Sequence, residues 1–309
     1  MTLINPPLLT HGGTHEARAF RMMVRDLARG SQGVTEGDDL KVWQLTTPAA
    51  GVRVADGSAV VRGAAWGQGS YTQYNVGYAV VPVAPTAASP RSDLVCLRVE
   101  DPEYEGTRDP ETDEIGYFHV VSNVSATTTG VPSGMTAIPI ARLDIPANTT
   151  VITDSMIKDV RRMANPRRER TLYTSFPTAL STLGYSDNKW HTWPSAARWS
   201  VRVPSWATNA KVVVTVAGLR ESASNVFAQM RGVLGTDLGQ GTVVDDNQGK
   251  GIRRTNVIVA DNISVSSAMR GTTQPLYLQT YMYRSETGDI HVDSGTSLIA
   301  DVEFTEGVV

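Results

Sequence analysis

ARLDIPANTTVITDSMIKDVRRMANPRRER, residues Ala141–Arg170, decides how this chain is divided. An alternating apolar run stops at Pro146, a short amphipathic segment follows, and an arginine-rich stretch leads into new strand-like sequence. The pattern reads as a joint between two β-rich bodies. Thr153 or Asp154 can cap a helix running to about Met163, with Asp154 and Arg161/Arg162 suited to the two ends of its dipole. The residue before Pro166 is pushed out of helical geometry, which ends the segment near Asn165. So short a helix is not stable alone. It must pack on its own domain or on copies of itself around a symmetry axis. Ile152, Met156, Val160 and Met163 fall on one side of it and are the candidate oligomer-interface residues. Arg161, Arg162, Arg167, Arg168 and Arg170 either meet acidic surfaces of a neighbouring subunit or lie in a solvated linker.

Outward from the joint the chain divides into a first domain, residues 1–150, a linker helix and basic joint, 151–170, and a second domain, 171–309. In the first, His15 to Arg29 is the clearest helix. Phe20, Met23, Val24, Leu27 and Ala28 follow the spacing of a buried stripe, with Thr14 as N-cap and Gly30 at the C-terminal end. Arg18, Arg21, Arg25 and Arg29 lie off that stripe and read as a solvated or subunit-facing row. Beyond Gly33 the pattern turns to strands. VRVADGSAVVRG predicts a hairpin about Asp56-Gly57, and further strands are expected at Val76–Val83, Leu94–Val99, Phe118–Val124 and Ala137–Leu143. The second half alternates throughout, in WSVRV, AKVVVTVAGL, NVIVA, PLYLQTYMYR and SLIADVEF. The expected class is mainly β: one helix on an antiparallel sheet, then a β-sandwich or jelly roll.

Composition narrows the function classes. The chain has 309 residues, enough for two cores, with 41% hydrophobic and 19% charged residues and a net charge of -3. That balance gives no reason to expect nucleic-acid or anionic-membrane binding. No apolar run approaches the roughly 18 residues of a membrane span, and MTLINPPLLTHGG lacks the basic start and long apolar run of a secretory signal. The single cysteine, Cys96, sits in the apolar run LVCLRV and reads as a small buried residue.

No catalytic motif accompanies this organisation. His11 and His15 are four apart, but no HExxH or further ligand completes a zinc site. A GxSxG elbow and a phosphate loop are absent, and WGQGSY is not followed by a helix. Glycoside hydrolysis needs only two placed carboxylates, so Asp237, Asp245 and Asp246 keep that possibility open. EDPEYEGTRDPETDE, from Glu100 to Glu114, offers oxygen ligands without the spacing of a calcium loop, and reads as a solvated acidic loop. Neither a cofactor nor a resident metal is expected. Four of the six tryptophans, Trp190, Trp193, Trp199 and Trp206, crowd the entrance to the second domain. Trp199 and Trp206 read as core, and Trp190 and Trp193 as an exposed pair. Tyr277, Tyr281 and Tyr283 share parity on one strand and therefore one face. Flat rings with polar neighbours suit sugars as well as cores and interfaces, so Trp190, Trp193, Tyr277, Tyr281 and Tyr283 are candidate glycan contacts.

Several passages resemble minor tail proteins of phages that infect actinobacteria. They are FRMMVRDLARGSQGVTEGDDLKVWQL with PAAGVRVADGSAVVRG, SPRSDLVCLRVEDPEYEG, and ARLDIPANTTVITDSMIKDVR, together covering most of residues 15 to 162. VPSWATNAKVVVTVAGLR is similar to the start of the C-terminal β-sandwich in the same proteins. The first domain is more distantly similar to the attachment domain of baseplate upper proteins in lactococcal siphophages. The resemblance implies a non-enzymatic virion component at the tail tip, made in the host cytoplasm and trimeric. Its first domain would dock on the tail hub and other tail-tip proteins, and its second would project. The alternative is an adhesin whose second domain recognises host cell-wall polysaccharide. A third reading, a polysaccharide-degrading enzyme, would need a close carboxylate pair in a cleft.

Overall fold

The computed structural model describes residues 3, 4, 6–284 and 287–309. The chain is mainly β, with one α-helix and antiparallel sheets. It forms two compact units: Met1–Pro166 with Gly307–Val309, and Arg167–Glu306. The division falls at Pro166, and the last three residues return to the first unit.

In the first unit a four-stranded sheet runs in the order Ile157–Asp159, Ala137–Ile145, Arg91–Val99, Gly116–Val124. Two three-stranded sheets complete it: Gly33–Val34, Gly57–Arg62, Ser70–Asn75, and Val42–Gln44, Gly51–Val54, Ala79–Pro82. Asp56-Gly57 therefore does not make a hairpin. The strands on either side belong to different sheets, and the chain steps between them at Gly57, whose φ is +142°. A Cβ there would lie 2.6 Å from Asp39 Cα, so only glycine fits. Arg91–Val99 is covered on both faces. Val95, Leu97 and Val99 enter the main core with Val52, Ile140 and Leu143, while Leu94 and Cys96 pack on Ala137 behind it. Burial pushes the Cys96 thiol up to about 12, which makes it inert.

The stretch read as a linker helix is extended. Only Asp154–Met156 forms a 3-10 turn, and Ile157–Asp159 pairs with Leu143–Ala141 as an edge strand. Asp154 does not cap its own turn. Its Oδ1 accepts the Gln44 backbone N–H at 2.7 Å, while its own N–H donates to Gln44 Oε1 at 3.1 Å. Beyond the strand, the Arg162 carbonyl and Ala164 N–H bond to Val34, each at 2.8 Å. Ile152 is buried, Met156 and Met163 pack on the main core, and Val160 on the smaller one. These side chains have partners within their own unit, which removes the apolar helix face about which copies would pack.

Arg162 is exposed, and the other four basic residues there are engaged locally. Arg161 is fully buried and donates to Asp159 and to the carbonyls of Gly37, Asp39 and Val309 at 2.6–3.2 Å. In the second unit Arg167 pairs with Glu306, Arg168 with Glu303, and Arg170 with Asp301.

Ala17–Leu27 is helical, and the expected stripe divides: Ala28 is buried and Met23 and Val24 half-buried, but the rest of it is not. Within the helix Ala19 is the one buried residue, whereas Phe20 and Leu27 are 44% and 72% exposed. Arg21 points inward. It donates to the Gln68 carbonyl at 2.9 Å and Glu103 at 2.6 Å, lies 3.4 Å from Asp101, and stacks beside Tyr71 and Tyr104. Arg25 lies 5.0 Å from the Trp66 ring centroid. A socket of carbonyl, carboxylates and rings outcompetes Phe20 and Leu27 for the inner face.

The second unit is a β-sandwich. One sheet runs Arg168–Ser175, Ser297–Thr305, Asn209–Ser222, Asp289–Val292, Ser181–Thr182, with Arg253–Ser264 also on Asn209–Ser222. The other runs Trp190–Thr192, Thr273–Met282, Val226–Leu234, Asp237–Leu238. Arg198–Arg202 also pairs with Thr273–Met282, and Thr242–Asp246 with Val226–Leu234. Alternate residues such as Val212, Val214, Met230, Leu276, Leu278, Val302 and Phe304 fill the core between them.

Candidate functional site

The outer face of the second sheet gathers most of the candidate aromatic residues. Antiparallel pairing places directly opposite residues on one face. Trp190, Tyr281, Gln229 and Val243 form one such row across four strands; Thr192, Gln279 and Arg231 form the next. Arg198 and Tyr277 lie opposite one another in a third. Tyr283 follows the strand end and bonds to Phe227, which is paired in turn with Asp245. All of the rings in these rows are half-buried.

The rings touch in sequence. Phe227 and Tyr283 stack with centroids 4.6 Å apart, Tyr283 and Tyr281 meet at 4.9 Å, and Tyr281 and Trp190 at 5.5 Å. Polar groups hold them in place. Gln229 Nε2 donates to the Tyr283 hydroxyl at 2.8 Å, and Arg231 donates Nε and Nη2 to Gln279 Oε1 at 2.9 and 2.7 Å. The guanidinium carbon of Arg231 sits 4.1 Å from the Trp190 ring centroid, and that of Arg198 sits 5.5 Å from Tyr277. Desolvation lowers the pKa of Arg231, and among the described residues no carboxylate pairs with it. The result is a pre-ordered floor of rings with amide and guanidinium groups along it.

Trp193 is not part of this floor. Three positions from Trp190 along an extended chain it points to the opposite side, where it is buried in the core with its indole N–H on Ser181 Oγ at 3.2 Å. Trp199 is also buried, and Trp206 packs against the core beneath Arg167. The spacing of three between Trp190 and Trp193 already carried this signal. Sequence reasoning did not single out Phe227, Gln229, Arg231 or Gln279, since only strand pairing brings them beside Trp190.

A second cluster lies at the sandwich edge. Glu221 is 1% exposed and lines a cleft of about 440 Å³ with Asp246 and Arg253. Burial, with a hydrogen bond to Asp246, pushes its carboxyl up to about 7. That same hydrogen bond, with Arg253 Nε at 2.5 Å, holds Asp246 down at about 2.

The acidic loop is spent on arginines. Glu100 bonds Tyr117 and lies 3.3 Å from Arg108, Glu103 takes Arg21, and Glu105 takes Arg98. Among the described residues no group of three or more His, Cys, Asp or Glu side chains is arranged to hold a metal ion, and no helix is long and apolar enough to cross a membrane.

No family model and no curated protein matches this chain. Among solved structures it is similar to infectious bursal disease virus, Gx strain, with a TM-score of 0.28 and 11% identity over 91% of this chain and 72% of that one. The VP2 subviral particle of the same virus gives 0.28 and 10% over 90% and 75%. The mosquito-larvicidal Cry4Aa toxin from Bacillus thuringiensis gives 0.21 and 8% over 90% and 54%. Backbones at these scores do not superpose as one fold, and nothing about this chain's function follows from them.

Proposed function

We propose that this chain is a non-enzymatic structural component of a phage tail tip or baseplate, trimeric, with its first unit docking on the tail hub and its second displaying a β-sandwich. The passages similar to actinobacterial phage minor tail proteins support the reading. The observation that carries it is the pair of apolar patches on the first unit. Phe20 and Leu27 stand out from the helix, and Tyr74, Val76, Tyr78 and Val80, at 58–94% exposure, crowd the passage from Ser70–Asn75 of one sheet to Ala79–Pro82 of another. Apolar groups clustered in this way are covered in an assembly. Antibodies raised against the chain test it on phage particles: label at the tail end supports the proposal, and label over the capsid or none overturns it.

The aromatic floor favours a second reading, in which the second unit also binds a glycan. Sugar rings stack on flat aromatic faces while amides and guanidinium groups bond their hydroxyls. Binding of the full chain to purified host cell walls, lost on Trp190→Ala, tests this reading.

A further inference from the structure

From the charges along the aromatic floor we infer that its ligand is a polysaccharide containing uronic acids, an inference that rests on the glycan reading. Six other arginines of the second unit meet carboxylates: Arg167, Arg168 and Arg170 as above, Arg220 and Arg254 at Asp293, Arg253 at Asp246. Among the described residues Arg198, Arg202 and Arg231 meet none, nor do Arg270 and Arg284 off the strands, and strand register puts the first three on the outer face of the aromatic sheet. Gln279 engages Nε and Nη2 of Arg231, which leaves Nη1 for a ligand. A positioned, partly desolvated cation without a counter-charge is a site for an anion. Asp245 lies at the far end of the Phe227 row.

Geometry selects among anions. The guanidinium groups lie 4.1 and 5.5 Å from the centroids of Trp190 and Tyr277. A uronate carries its carboxylate on the sugar ring itself, so one residue can stack on a ring and pair with the adjoining guanidinium. A phosphodiester-linked chain holds its charge between sugars, one step further from the stacked ring. Single-stranded nucleic acid could also stack here. The amide groups of Gln229 and Gln279 suit the hydroxyls of a sugar, which favours a polysaccharide over nucleic acid.

Titrating the full-length protein with polygalacturonate, with dextran, and with a thymidine oligonucleotide tests the inference. Polygalacturonate should bind at least tenfold more tightly than dextran. Arg231→Gln, and separately the exposed Arg198→Gln, should erase that margin, and Trp190→Ala should weaken binding of both polysaccharides. Equal affinity for the two polysaccharides, or an unchanged margin in both arginine variants, overturns the uronate inference while the glycan reading stands. No binding to either polysaccharide overturns the glycan reading and the inference with it. Tighter binding of the oligonucleotide assigns the face to nucleic acid and overturns both.

Discussion

Arginine does opposite things in one region of each unit. In the first, Arg21 and Arg161 turn inward, and the structure around them supplies acceptors in the fork geometry a guanidinium requires. In the second, Arg198 and Arg231 lie against rings on an outer sheet face with no carboxylate opposite. The difference lies in what the neighbouring backbone offers. Where loop carbonyls and acidic side chains converge, as Gly37, Asp39 and Val309 do with Asp159, the guanidinium is structural. Where flat strands present only side chains, it stays available to a ligand.

Arg161 is where this comparison breaks most sharply. Its side chain is fully buried and ties Asp159 to three backbone carbonyls drawn from the Gly37–Asp39 loop and from Val309. Arg161→Ala removes the cation from Asp159 and the donors from the Asp39 and Val309 carbonyls, and the expected loss is about 3 kcal/mol. Arg161→Lys should recover little, because one ammonium cannot reach the same acceptors. Urea unfolding checks both. Arg198→Ala, on the exposed side of the comparison, should stay within about 0.5 kcal/mol of the parent.

Glu221 gives a loss of similar size, read out by pH. Its pKa in the fold is about 7, well above the usual glutamate value, so the folded state holds its proton more tightly than the unfolded one. Stability from this group is therefore full below about pH 4.5 and falls as pH rises through 7, by about 3 kcal/mol. Glu221→Gln should flatten that part of the stability profile. Thermal melts from pH 4.5 to 8 measure it, and a parent profile that stays level across this window would contradict the buried proton.

Much of this fold was legible from the period of two. The long alternating runs of the second unit became the sandwich strands, because alternation alone decides which residues face the core. What failed was what depends on distant partners. The segment from Thr153 to Met163 has helix-like spacing, yet Asp154 is claimed by Gln44, and Ile157–Asp159 by Ala141–Leu143. The helix itself was legible, but not the whole of its facing: Gln68, Asp101 and Glu103 lie far along the chain and meet Arg21 only once the sheets form. Parity showed that Tyr277, Tyr281 and Tyr283 share a face; it could not show that Gln229 and Arg231 arrive beside Trp190 across two other strands.

The smallest expected effect is also the most diagnostic for the facing of the helix. Arg21→Ala removes the contacts with Gln68, Asp101 and Glu103, and strands the buried Asp101 without its cation. A cost of about 2 kcal/mol follows for hydrogen bonds to charged groups, with amide exchange rising along Ala17–Leu27 before the sheets open. Leu27→Ser changes a residue that is 72% exposed and should shift stability by no more than about 0.5 kcal/mol in the isolated chain. Were the apolar stripe the buried face, the order would reverse and Leu27→Ser would cost about 2 kcal/mol or more. Comparing the two variants therefore decides which face of the helix holds it to the unit. A near-neutral Leu27→Ser that nevertheless weakens assembly into particles would show why that leucine is kept outside.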